Sequence, residues 1–80
     1  MRRIGIVAAI TALNSRHLTC QGARAGAEIE LEHYRTARPD DGDAIAALTA
    51  RLADLDAEMD GLRDECERLY AELAALDRAP

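Results

Sequence analysis

Between Asp43 and Arg78 the large apolar side chains recur at alternating spacings of three and four: Ile45, Leu48, Leu52, Leu55, Met59, Leu62, Cys66, Leu69, Leu73 and Leu76. Written as heptads, Ile45, Leu52, Met59, Cys66 and Leu73 take position a, and position d is leucine throughout. No other Leu, Ile, Val, Met or Cys occurs in the segment, so one narrow stripe carries nearly all of its large apolar surface. A 3.5-residue period predicts an α-helix that supercoils left-handedly, a rod on the order of 50 Å long. Such a helix does not persist alone in water, and its stripe must be covered. These ten residues are the candidate interface.

The run Pro39-Asp40-Asp41-Gly42-Asp43 predicts a turn at 39–43 and a helix over 44–78, with Asp43 as N-cap and Pro80 as the stop. One candidate cover is a second copy. In a parallel pair Arg51 meets Asp56 and Glu58 meets Arg63, both attractive, whereas Glu72 repels Asp77. An antiparallel self-pair sets Glu58 against Glu65 and Arg63 against its own copy. The parallel pair is favoured, each exposed contact contributing a few tenths of a kcal/mol. No Asn or Lys occupies an a position to fix register, and Gly61 at position c costs about 1 kcal/mol relative to Ala.

Residues 1–38 carry two overlapping patterns. Ile6, Ile10, Leu13, His17, Cys20, Arg24, Ala27, Leu31 and Tyr34 fall at spacings of four and three. That stripe predicts a helix over 4–36 folding back through the turn as an αα-hairpin. The strand alternative rests on Glu28-Ile29-Glu30-Leu31-Glu32-His33, which alternates polar and apolar, with Ile4-Gly5-Ile6-Val7 as its partner in a β-ribbon. The expected class is therefore all-α, a hairpin that self-associates as a parallel dimer or as a four-helix bundle of hairpins. An α+β ribbon with one long helix is the alternative. Gly22 and Gly26 each cost about 1 kcal/mol inside a helix, so they predict a break or a close helix approach.

Composition narrows the function classes. Within 80 residues that are 49% hydrophobic there is no Trp or Phe, and Ala supplies 17 of the apolar side chains. A chain this short buries only about 60–65% of its unfolded surface even when globular, and small side chains bury little. Self-association is the expected remedy, and an enzyme pocket with supporting walls is not expected. Charge is divided unevenly: residues 1–38 hold six Arg against three Glu, and residues 39–80 four Arg against twelve acids. Arg2, Arg3, Arg16 and Arg24 are the candidate anion contacts, and a small nucleic-acid-associated regulator is the second functional reading. Against it, these arginines are not clustered on one helix, the second half repels a polyanion, and the basic stretch has no aromatic to stack on a base.

Met1-Arg2-Arg3 followed by the apolar run to Leu13, with Ala25-Gly26-Ala27 beyond, fits a secretory leader over 1–27, which defines a third reading as a secreted or membrane-anchored coiled coil. The polar stretch from Asn14 to Arg24 is too long and charged for that pattern, and the apolar run is too short to span a bilayer. Among possible ligands, His17 and Cys20 have the spacing of half a zinc site, but His33 and Cys66 make no second pair, so no metal is expected. Ser15 lacks the surroundings of a nucleophile, and Asp40-Asp41-Gly42-Asp43 lacks the Glu of a calcium loop. Cys66, at an a position, would face its own copy in a parallel dimer, where an oxidising compartment would join the two. The residues thus point to a small, cytoplasmic, non-enzymatic coiled-coil oligomerisation or adaptor protein without a cofactor, binding itself or another protein, with nucleic acid and membrane as lesser partners.

Overall fold

The computed structural model describes residues 2–78; Met1 and Pro80, read above as part of a leader and as a helix stop, lie outside them. Two helices account for nearly all of it, α1 over Arg2–Ala37 and α2 over Gly42–Arg78, packed antiparallel as a hairpin. Among the described residues there is no strand. The hairpin is a rod of 64 × 14 × 13 Å with a radius of gyration of 18.1 Å, where a compact chain of this length would have about 12 Å. Among the described residues none lies under a second layer, and no side chain is completely removed from water.

The stripe read on α1 is the face that packs. Ile6, Ile10, Leu13, Cys20, Ala27 and Leu31 are buried, and His17, Arg24 and Tyr34 are half-buried. The alternation at Glu28–His33 does not produce a strand. Leu31 continues the helical stripe from Ala27 while Ile29 projects into solvent at 72% exposure. The expected partner of this segment, residues 4–7, is part of the same helix, and Glu, Leu and Arg serve a helix equally well. Gly22 and Gly26 neither break α1 nor mark an approach to α2. Both sit on its exposed side, and a Cβ at either would touch nothing. Thr11, Thr19, Thr36 and Thr49 return their hydroxyl protons to the carbonyl one turn back, so these interior threonines leave no donor unpaired.

The turn is tighter than 39–43. Pro39 has no N–H and cannot continue α1, which closes with Arg38 N–H donating to the Tyr34 carbonyl at 2.8 Å. The reversal is completed by Asp41 N–H to the Arg38 carbonyl at 3.1 Å and Gly42 N–H to the Asp40 carbonyl at 3.0 Å. The N-cap of α2 is Asp41 rather than Asp43. Its carboxylate accepts from Ala44 N–H at 3.2 Å, and its carbonyl takes the first helical bond from Ile45 N–H at 3.1 Å. Asp43 lies inside the first turn, where its charge still favours the positive helix end. Asp41→Ala is expected to lower stability by about 1 kcal/mol, and Asp43→Ala by less; urea midpoints of the two variants check the order.

Candidate interaction surface

The ten seam residues of α2 are brought together, and the first surface they meet is α1 of the same chain. Leu55 and Leu62 are buried at 5% exposure, while the other eight are half-buried. Leu62 packs with Leu13 and Cys20, and Met59, Cys66 and Leu69 close around them. The centre of the seam is thus the driest part of the rod.

Three of the four flanking charges that would have bridged two α2 helices in a parallel dimer, Asp56, Glu58 and Arg63, are engaged within the chain. Arg24 reaches Asp56 through Nε to Oδ1 at 2.5 Å and Nη2 to Oδ2 at 3.3 Å, and its Nη1 lies 2.7 Å from Glu28 Oε1. One planar guanidinium therefore serves two carboxylates, a geometry lysine cannot reproduce. Arg16 lies 3.7 Å from Glu58, and Arg3 pairs with Asp77 near the open end of the hairpin. Arg63, the other intended partner of Glu58, instead bonds Asp60 one turn before it on α2 at 2.5 Å. Arginines of α1 thus face carboxylates of α2 from the open end of the hairpin as far as Arg24, and no such pair is formed nearer the turn among the described residues. Three of the four candidate anion contacts are occupied by carboxylates, and among the described residues only Arg2 of that set forms no ion pair.

Hydrogen bonding from Arg24, reinforced by its charge, holds the Asp56 carboxyl below the usual aspartate range, and partial burial opposes this. The same bonds, with those to Glu28, push the Arg24 guanidinium further up. A carboxyl depressed in the folded state stabilises the fold above its unfolded value of about 3.9 and loses that contribution as pH falls through the folded value. Wild type should therefore melt above Asp56→Asn at neutral pH, and the gap should close below about pH 4; a gap unchanged at about pH 2 contradicts the assignment. Salt should narrow it, since both side chains are partly exposed.

Burial, followed by the nearby Glu58 charge, pushes the Cys20 thiol up, keeping it protonated and slow toward electrophiles. Cys66 is also free, and its Sγ lies 3.7 Å from Asn14 Oδ1 on α1. Within the hairpin, what Cys66 meets is α1. His17 and Cys20 share the inner stripe, whereas His33 is exposed and edge-on to Tyr34 at 5.9 Å. Among the described residues no three His, Cys, Asp or Glu side chains are grouped to hold a metal. Nor is any described helix long and apolar enough to cross a membrane. Ser15, Asp54, Asp60, Asp64 and Glu67 all lie on exposed surface.

The sequence reading missed a second apolar face. Of the five large apolar side chains with high exposure, Ile4 at 67%, Val7 at 46%, Leu18 at 67% and Ile29 at 72% all belong to α1; the fifth is Tyr70 on α2. Val7, Leu18 and Ile29 are eleven residues apart, which is three helical turns, so they lie on one side. At 100° per residue Ile4, Thr11, Gly22 and Ala25 share that side, and between Ile4 and Ile29 no charged residue interrupts it. The signal was present as this spacing, hidden beneath the stronger inner stripe.

No family model matches the chain, and no solved structure matches it significantly. Over 75 residues, 94% of the chain, it is 33% identical to the chromosome partition protein Smc of Delftia acidovorans (strain DSM 14801 / SPH-1). The chain spans about 6% of that relative's length. A match of 75 residues takes in both helices and the turn between them. The hairpin and this similarity together fit a coiled-coil protein.

Proposed function

We propose that this is a non-enzymatic coiled-coil protein whose role is to hold proteins together, as an oligomerisation module or an adaptor. The observation that carries this reading is the uncharged apolar side of α1, with Ile4, Val7, Leu18 and Ile29 left in water after the hairpin has closed. Large apolar side chains aligned on one exposed helix face, flanked by polar groups, are a feature of protein interfaces. Acidic residues on the outer side of α2 keep the rod soluble. Chromosome partition is the role named for the Delftia protein, with which this chain shares an alignment of 75 residues; the rod shape of this chain is what an adaptor needs. The nucleic-acid reading is the weaker one, since Arg3, Arg16 and Arg24 already have carboxylate partners.

The test is a pulldown from the native host, comparing the natural chain with an Ile4→Glu, Ile29→Glu double variant. Both positions are exposed, so the hairpin should survive with unchanged circular dichroism. The natural chain should retain a protein partner, its own copies included, and the variant should lose it. If both forms elute alone, the reading is wrong.

A further inference from the structure

We infer that the uncovered face of α1 receives the same face of a second copy of this chain, the two α1 helices running antiparallel about a two-fold axis beside Leu18. This rests on the proposed interaction role and names its partner. Charge selects the occupant. Four of the five arginines of α1, Arg2, Arg3, Arg16 and Arg24, lie in its first two-thirds, whereas its three carboxylates, Glu28, Glu30 and Glu32, lie in the last third and outnumber Arg35 there. A parallel second copy would set Arg3 beside Arg3 and Glu32 beside Glu32. An antiparallel copy brings Arg3 of each chain alongside Glu32 of the other, twice by symmetry. Arg3 already touches Asp77 but remains 59% exposed, with donors to spare.

The apolar positions agree with that orientation. With the axis beside Leu18, Leu18 meets its own copy and Val7 meets the second copy's Ile29. One further level pairs Thr11 with the smaller Ala25, and Gly22 stands at the level of the second copy's Asn14, whose Oδ1 lies toward Cys66 of its own chain. That also gives Gly22 a role. Nothing in the hairpin approaches it within 4 Å, and glycine is disfavoured inside a helix, yet facing a second helix it allows the two backbones to come close. The contact runs from Val7 to Ile29, about 33 Å of helix. A single helix pair of this length makes a small interface, so exchange between monomer and dimer should depend on concentration.

Sedimentation of the purified chain over a concentration series tests this, together with two sets of variants. Leu18→Glu places two carboxylates at the axis and should weaken the dimer at least about tenfold, while helicity at low concentration is unchanged. Mixing Leu18→Glu with Leu18→Arg should restore the dimer, which a folding defect could not do. In a background with Cys20 and Cys66 changed to Ala, Thr11→Cys mixed with Ala25→Cys should form a disulfide on oxidation. Thr11→Cys alone should not, because its two copies lie about 21 Å apart. A dimer indifferent to Leu18→Glu, or a Thr11→Cys chain that links to itself, overturns this arrangement while leaving a protein-binding role standing. A chain monomeric at every concentration also overturns it, and the pulldown then shows whether a different protein is the partner.

Discussion

Leu62→Asp is expected to unfold the hairpin, abolishing most of its helicity at neutral pH. Leu62 is 5% exposed and packs on Leu13 and Cys20 at the driest part of the rod. A carboxylate there has no cation within the seam, since Arg16 and Arg24 are committed to Glu58 and Asp56 at its edges. Burying an unpaired charge costs far more than a cavity. The comparison variant Leu62→Ala should cost about 2 kcal/mol, the low end for a buried leucine, because a rod one seam deep collapses around the gap. In a chain of this size that is a fall of roughly 8–16 °C in melting temperature. Far-ultraviolet circular dichroism across a thermal ramp separates the two. An Asp variant that melts like the Ala variant would show that water reaches position 62, and the seam would then not be what holds the arms together.

The second large effect concerns α2 without α1. A peptide of residues 42–78 should be mostly unfolded when dilute and should become helical as a parallel dimer when concentrated. The reason lies in which carboxylates are free. In the intact chain Arg24 and Arg16 hold Asp56 and Glu58. Removing α1 releases them to meet Arg51 and Arg63 of a second peptide, and the ten-residue stripe is bare until that happens. The intact hairpin, whose stripe is covered within one molecule, should keep its helicity on dilution, because the linked arm acts as a partner at fixed effective concentration. Helicity measured over a dilution series for both molecules decides this. A peptide equally helical at every concentration would mean that local propensity, not the seam, maintains α2, against the expectation for an isolated helix.

These expectations separate what the residues state locally from what folding adds. The seam of α2 was legible because its large side chains occupy two heptad positions and no others, and period alone places them on one face. The inner stripe of α1 was legible for the same reason, although Arg24 and His17 interrupt it, because their long or ring-bearing side chains can lie along a seam and keep their polar ends at its edge. Residues 28–33 were ambiguous, since a six-residue alternation fits either a strand or part of a helix until something else fixes the period. The N-cap was misplaced by two positions because Asp40, Asp41 and Asp43 all have the right chemistry, and only the path of the chain after Pro39 chooses among them.

By itself, then, the sequence determined the helix and seam of α2, a turn ahead of it, and an inner stripe for α1 that still competed with a strand at residues 28–33, because these follow from spacing along one strand of chain. The tertiary structure decided which surface covers which. The α2 stripe fits a second α2 or α1 almost equally well by pattern, but the Pro39 turn holds α1 beside it permanently, and Arg24 and Arg16 then capture the charges a second α2 would have used. Only after that pairing is made does the other side of α1 stand out as uncovered, since a residue is exposed or buried by what lies next to it in space, which no spacing records.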